Sequence, residues 1–352
     1  MVFDSDNILE IKEKIKKLFS KEKSVMQKYN LIQAYVQFKV RKLFLYNYPI
    51  RLTIDPCNYC NLHCTMCPTG TNAKGRKQSF MSFDTFKKII DECGPFLWEI
   101  YLYNWGEPLL NKDIFKMVRY ARQMRIDVTV STNLNHFNDN ICNNLIKSGL
   151  NKLIISLYGA SQESVEKYQE GNNLELVIKN VKQIVYMKEK LKSNSPFIQW
   201  RFMVNKYNED EIEKAKELSK RLKIDKLELG FFRCDMAKEV FLNSEAQYEN
   251  VKAWLPNNEK LSMYDYSQKR KKNNKNVCRL LWFESVIQPD GSISPCCAVW
   301  TEKFDFGNIS HSSFRQIWNN KIYQSARRIN RGDNFSFNEH ICYICKLNNA
   351  QI

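Results

Sequence analysis

The stretch Cys57-Asn58-Tyr59-Cys60-Asn61-Leu62-His63-Cys64-Thr65-Met66-Cys67-Pro68 follows directly on a strand-like run at 50–54. Cys60, Cys64 and Cys67 stand in a C-x3-C-x2-C spacing, so three thiols fall within eight residues. Thiolates packed that densely after a strand read as ligands of an iron–sulfur cluster. A four-iron cube held by only three thiolates keeps one iron without a protein ligand, and that iron can chelate a small molecule. The alternatives are a zinc site and a cysteine-bearing helix face, because i, i+4 and i+7 share a face. Structural zinc usually takes two pairs or a Cys/His quartet, and no such pair lies beside this stretch.

Outward from it, residues 50–232 alternate. Strand-like runs at 50–54, 99–104, 127–132, 152–157, 198–204 and 226–232 are separated by helical patterns at 82–93, 113–124, 138–147, 175–190 and 209–222. Ser82 is a fitting N-cap for the first helix and Gly149 a C-cap for the third. Strand then helix, five times over with a sixth strand, predicts an α/β fold with a parallel sheet and crossover helices. Chemistry in such sheets sits where the strands end. There the sequence places Trp105-Gly106-Glu107-Pro108, Ser131-Thr132-Asn133 and Ser156-Leu157-Tyr158-Gly159.

The cysteine motif resembles that of the radical S-adenosylmethionine (SAM) superfamily, and six strand–helix units suit that family's partial (β/α)6 barrel. The resemblance implies a 4Fe-4S cluster on Cys60, Cys64 and Cys67, with SAM chelated to the open iron. Cys57 is then a bystander, since the motif is complete without it. Met66, before the last cysteine, falls where relatives pack near adenine. Gly106 and Glu107 look like the family's Gly-Gly-Glu-Pro segment, which holds the SAM amino group; Trp105 replaces the first glycine. Ser131, Asn133 and Ser156 correspond to SAM-contacting positions, and Tyr158 stands at the usual Asp. Relatives carry an arginine about a dozen residues beyond that serine; here the segment reads Tyr168-Gln169-Glu170-Gly171. Arg201 with Asn205 is the candidate substitute for pairing the SAM carboxylate.

The tail repeats the theme. Cys278, Gly291 and Cys296 form a C-x12-G-x4-C run around the hairpin signal Pro289-Asp290-Gly291, and Cys342-x2-Cys345 follows. Four thiols in two separated groups suit a tetrahedral zinc or a fully ligated cluster. The spacing resembles the SPASM/twitch extension of radical SAM enzymes, which implies one auxiliary 4Fe-4S cluster on Cys278, Cys296, Cys342 and Cys345, with Cys297 as a reserve. Cys93, Cys142 and Cys234 have no partner spacing and read as packing residues. The expected organisation is an N-terminal helical extension (1–48), a radical SAM core (49–235), a linker (236–276) and a small SPASM/twitch domain (277–352). The linker, with its basic run from Lys269 to Lys275, reads as solvated.

Composition excludes several classes. With 43% hydrophobic and 13% aromatic residues over 352 positions, the chain is globular and holds a large core. No apolar run approaches a membrane span, and the N-terminus lacks the apolar core of a secretory signal. Twelve cysteines in a long leaderless chain fit a reducing cytoplasm and metal or redox chemistry rather than disulfides. The net charge of +16 lies mostly on lysines of amphipathic helices, read as solvated faces and not as a nucleic-acid footprint. Residues 4–45 carry apolar positions at helical spacing (Ile8, Ile11, Ile15, Leu18; Leu31, Ala34, Phe38, Leu43) and predict two helices capping the core, with a membrane-surface helix as the alternative.

The resemblance implies an enzyme reduced by an external flavodoxin- or ferredoxin-type donor. Such an enzyme cleaves SAM to a 5′-deoxyadenosyl radical and takes hydrogen from its substrate, an oxidoreductase-type reaction in which the auxiliary cluster assists net oxidation. A small-molecule, carbohydrate-like substrate is expected, because no separate leader-peptide-binding domain is visible. A peptide or protein maturase is the alternative enzyme, and a non-catalytic electron-transfer or nucleic-acid-binding iron–sulfur protein the alternative of another class. No catalytic base is assigned.

Overall fold

A computed structural model describes residues 22–233, 249–250, 252–267, 270–272, 278–333 and 340–348. Helix α1 (Val25–Lys39) opens with a capping box in which Ser24 and Gln27 exchange side-chain and backbone bonds. It packs on the core, as a cap should, and Lys23 just before it is buried with Nζ on Trp98 O at 2.6 Å. Of the two helices expected over 4–45, the positions Ile8, Ile11, Ile15 and Leu18 lie outside the described residues.

Strand β1 (Arg51–Ile54) leads into the cysteine loop. Then follow α2 (Phe83–Cys93), β2 (Glu99–Tyr101), α3 (Ile114–Gln123), β3 (Asp127–Thr132), α4 (Asp139–Lys147) and β4 (Lys152–Ser156). Helices α5 (Gln162–Tyr168) and α6 (Leu174–Lys190), β5 (Phe197–Val204), α7 (Ile212–Arg221) and β6 (Lys226–Phe231) complete the series. Ser82 caps α2 through a bond from Thr85 N, as its sequence predicts. Strands β1 to β6 pair in sequence order, all parallel. Their residues are buried on both sides in β3 and β4, which is why they read as near-continuous apolar runs. Cys93 and Cys142 are buried in this core. The sequence reading missed α5, whose polar stretch hides a Ser161/Ser164 capping box.

Two features depart from expectation. The segment read as a solvated linker is packed where it is described. Leu255 and Tyr264 are buried, Tyr264 N closes on Ser262 Oγ, and the Glu209 carboxylate accepts from Asn257 N and Asn258 N at 2.9 Å. A short hairpin, β7 (Tyr264–Asp265) and β8 (Arg270–Lys271), lies in this segment. The C-terminal part also extends the core sheet. After helix α8 (Leu280–Phe283), β9 (Glu284–Ile287) pairs parallel to β1; β10 (Ser292–Ser294) and β11 (Gly307–Asn308) follow antiparallel, giving the order β11-β10-β9-β1-β2-β3-β4-β5-β6. Arg51 fixes this register, because its guanidinium meets Glu99 of β2 at 2.6 Å and Glu284 of β9 at 3.1 Å. Gly291 holds the β9–β10 turn at φ +83°, which its sequence signal requires. Helices α9 (Phe314–Trp318), α10 (Lys321–Arg331) and α11 (Ile341–Asn348) close the chain. Arg327 of α10 is fully buried and donates to the carbonyls of Leu281, Leu43 and Trp318, tying both ends of the chain together.

Candidate functional site

The cysteine loop is fixed at several points. Asn58 bonds Lys77 O (2.9 Å) and receives Ser79 N (2.6 Å). His63 N donates to Glu170 O and Thr65 N to Tyr168 O, at 3.0 and 3.1 Å, so the segment after α5 is paired to the loop by backbone. A side chain at Gly70 would sit 2.5 Å from Cys64 N; only glycine lets the chain fold back over the thiols.

Cys60, Cys64 and Cys67 are close enough that Cys67 raises the pKa of both others and Cys60 that of Cys64. Burial acts first, pushing Cys60 to about 12 and Cys64 well above the usual thiol value, with the neighbouring sulfurs adding to it. N–H groups oppose this: Leu62 N donates to Cys60 Sγ at 3.4 Å, Asn133 Nδ2 reaches it at 3.7 Å, and Thr69 and Gly70 amides face Cys67. Three thiols that repel as thiolates, ringed by amide donors, suit a cationic multi-iron unit that neutralises them and accepts N–H···S bonds. Among the described residues no three His, Cys, Asp or Glu side chains close on a single ion; a cube spreads its ligands around a volume rather than a point. Cys57 differs. Its thiol is buried and donates to Glu107 O at 3.1 Å, and burial keeps it protonated.

The turn after β2 lies against this loop. Glu107 N donates to Tyr59 O at 2.8 Å, and a Cβ at Gly106 would meet Cys57 O at 2.0 Å and Tyr59 O at 2.7 Å. Glu107 is 2% exposed, and its two carboxylate oxygens accept from Leu109 N (3.0 Å) and Asn133 N (2.8 Å). The carboxylate therefore holds the end of β3 to the turn, a task the reading as an ammonium partner did not foresee. Burial raises its pKa to about 7, partly offset by those amides. Asp55, buried beside it with Oδ2 on Trp105 N at 3.1 Å, is likewise raised to about 7 by burial.

Neighbouring strand ends bring the remaining candidates together. Ser131 Oγ and Ser156 Oγ lie 2.8 Å apart, and Asn133 Nδ2 also reaches Asn61 Oδ1 at 3.0 Å. The β4–β5 register sets Ser156 opposite Arg201, whose Nε donates to Glu228 at 3.1 Å. Asn205 is buried and its Oδ1 accepts from Tyr207 N, a turn contact. Where relatives carry an arginine, Gln169 is buried and clamps β4 by bonding Ser156 O (2.9 Å) and Tyr158 N (2.8 Å). Met66 packs against an aromatic group that sequence reading missed: Phe232, Trp254 and Tyr168, with Tyr158 and Tyr207 at its edge.

The tail thiols form a second group. Cys296 and Cys342 pack beside Val299, Phe304 and Ile341. Burial raises both strongly, and charges on Cys278, Cys342, Cys345 and Cys297 raise Cys296 further. Cys278 is pushed to about 11, by burial first and Cys345 after it. Cys345 is exposed, and Cys234 lies outside the described residues.

The two thiol groups are joined by Trp105 and Arg76. Trp105 O lies 3.8 Å from Cys67 Sγ, its indole N–H donates to Val299 O at 3.2 Å, and its ring meets Trp300 edge-on at 6.2 Å. Arg76 Nε donates to Trp300 O at 2.6 Å and its Nη2 meets both Asp305 oxygens. The residue that replaces the family's first glycine thus becomes a bridge.

Comparison with known proteins agrees with this geometry. Residues 54–219 match the radical SAM superfamily, and residues 278–346 match SPASM, an iron–sulfur cluster-binding domain. The AdoMet-dependent heme synthase of Methanosarcina barkeri is 25% identical over 299 residues, covering 76% of this chain and 82% of that protein. Mycofactocin maturase MftC of Mycolicibacterium smegmatis is 23% identical over 296 residues, covering 79% and 72%. Among solved structures, Streptococcus suis SuiB bound to S-adenosylmethionine has a TM-score of 0.60 at 16% identity, covering 92% of this chain and 78% of its own. Native anSMEcpe with bound AdoMet has a TM-score of 0.54 at 16% identity, covering 79% and 83%. These likenesses confirm the partial barrel with a C-terminal auxiliary domain.

Proposed function

We propose, on the premise that this chain belongs to the radical SAM superfamily and ends in a SPASM domain, that it is an oxidoreductase-type enzyme taking hydrogen from a small molecule. In this reading residues 49–235 form the SAM-binding core and 277–352 the auxiliary-cluster domain. Cys60, Cys64 and Cys67 hold a 4Fe-4S cluster, while Cys278, Cys296, Cys342 and Cys345 hold one auxiliary cluster. When bound, the reduced first cluster and SAM supply the adenosyl radical that removes hydrogen from substrate.

The chain's own residues bind and orient. Gly106 lets the turn lie against the cysteine loop, and Glu107 sets the distance from that turn to Asn133. Ser131 and Ser156, with Arg201 one strand away, offer the polar contacts for SAM, and Met66 with its aromatic neighbours offers the apolar side. The observation that carries the reading is the meeting of three thiols, the Gly106–Glu107 turn and the β3 and β4 ends at one sheet edge. Residues 252–267 pack beside Met66 and favour a compact substrate held away from water. A flavodoxin- or ferredoxin-type protein is the electron donor.

A peptide substrate is the second reading, favoured by the mycofactocin maturase among the relatives. Anaerobically reconstituted protein should convert SAM to 5′-deoxyadenosine, and Cys64→Ala should abolish this. Equal product from Cys64→Ala, or no cubane iron in the Mössbauer spectrum of wild type, would end the proposal. Deuterium transfer into 5′-deoxyadenosine from labelled sugars, tetrapyrroles or peptides then separates the substrate classes.

A further inference from the structure

Helix α1 packs a mixed face of amides and apolar residues on the core and leaves a second apolar face outside. Its packed side carries Gln27, Asn30, Leu31, Ala34 and Gln37. The amides are spent on loop backbone: Gln27 Nε2 donates to Leu97 O (2.7 Å), Asn30 Nδ2 to Tyr48 O and Phe96 O (3.1 Å each), and Gln37 Oε1 accepts from Tyr46 N (2.8 Å). The solvent side carries Val25, Tyr29, Ile32 and Val36, three or four residues apart, and Val40 extends the stripe at the C-cap. Each of the five is more than half exposed, from Ile32 at 54% to Val25 at 83%. Phe44 and Tyr46 continue the exposed apolar surface beyond the helix. A helix serving only as a cap would face these residues inward.

The charge around the stripe is of one sign. Between Glu22 and Asp55 the chain has no acidic residue; Lys23 is buried on Asp127 and Arg51 is paired with Glu99 and Glu284, and the other cations of this segment are Lys28, Lys39, Arg41 and Lys42. Lys39 and Lys42 are exposed at the C-terminal end of the stripe. Tyr29, Tyr35 and Tyr46 add exposed rings with a polar tip, suited to a boundary between apolar and wet surroundings. We propose that this face docks on an anionic lipid surface, the stripe entering the acyl boundary and the lysines meeting headgroup phosphates. The attachment proposed is peripheral; among the described residues no helix is long and apolar enough to cross a membrane. A second copy fits less well, because a two-fold contact pairs a face with itself and residues 23–54 carry no carboxylate to meet their own lysines.

The test is co-sedimentation of the full chain with phosphatidylglycerol–phosphatidylcholine vesicles and with phosphatidylcholine alone. Binding to the anionic vesicles is expected, on the order of tenfold weaker on phosphatidylcholine and in high salt. Ile32→Glu with Val36→Glu should abolish it without changing the circular-dichroism melt, since both side chains are exposed. Lys39→Gln with Lys42→Gln should erase only the anionic preference. The proposal is overturned by absent vesicle binding, or by undiminished binding of the double-glutamate variant. A dimer that this variant dissolves assigns the face to a second copy; binding gained only on removal of residues 1–21 assigns it to that segment. Either outcome also overturns it.

Discussion

Replacing Arg76 by methionine strands a buried carboxylate between the two thiol groups. The guanidinium meets Asp305 at 2.7 and 2.9 Å, with the two side chains 1% and 9% exposed, and its Nε holds Trp300 O. Burial already keeps the Asp305 pKa above the usual carboxylate value, although Arg76 pulls it down. Without the cation, only the hydrogen bond from the Ser294 hydroxyl opposes that burial penalty. Losing one partner of a buried pair costs about 3–5 kcal/mol, and an orphaned carbonyl adds about 1 kcal/mol. Anaerobic urea titration of Arg76→Met should therefore show a loss of roughly 4–6 kcal/mol. Adding Asp305→Asn should recover about 2 kcal/mol by removing the stranded charge. In Arg76→Met, Asp305 titrates higher still. Its proton is bound more tightly folded than unfolded, so the deficit should shrink as pH falls through that raised value. A loss below about 1 kcal/mol, the range of surface pairs, would refute the reasoning. So would further destabilisation by Asp305→Asn.

Gly106→Ala puts a methyl 2.0 Å from Cys57 O, which is backbone and cannot swing away. A loss of about 3 kcal/mol or more is expected in thermal melts of the apo-protein, and an unchanged melt would contradict the close approach. Glu107 is raised from 4.5 to about 7 by burial, so the folded state holds its proton more tightly. The stability this gives below pH 4.5 should be lost as pH rises through 7, about 3 kcal/mol in all; Glu107→Gln should lack that slope when the two are titrated in parallel. Leu255→Ala should cost about 2–4 kcal/mol by urea denaturation, whereas a solvated segment would register no more than ~0.5 kcal/mol.

The parallel strands and their helices were legible because burial on both faces leaves long apolar runs, and Ser82 and Gly149 punctuate them. The cysteine spacings, and their adjacency to the Gly106–Glu107 turn, were legible for the same local reason. What escaped was carried by distance or by single residues. Nothing in Glu284–Ile287 announces that it pairs with a strand more than 200 residues earlier. Leu255 and Tyr264 stand in short apolar clusters without periodicity, so the segment around them read as solvent-borne. Trp105 replaces a glycine of the family motif, and its partners Val299 and Trp300 lie too far along the chain for spacing to disclose them. In helix α1 the periodic positions Leu31, Ala34 and Phe38 do face the core, but the amides buried beside them leave a second apolar face outside that the pattern did not disclose.

The pairing of β1 with β9 also bears on how the chain is made. The neighbour on one flank of β1 is translated more than 200 residues after it. Until then a strand in mid-sheet has an open edge, the feature that invites pairing with other nascent chains. A core expressed without its tail keeps that edge permanently, so the tail doubles as a built-in guard against self-association.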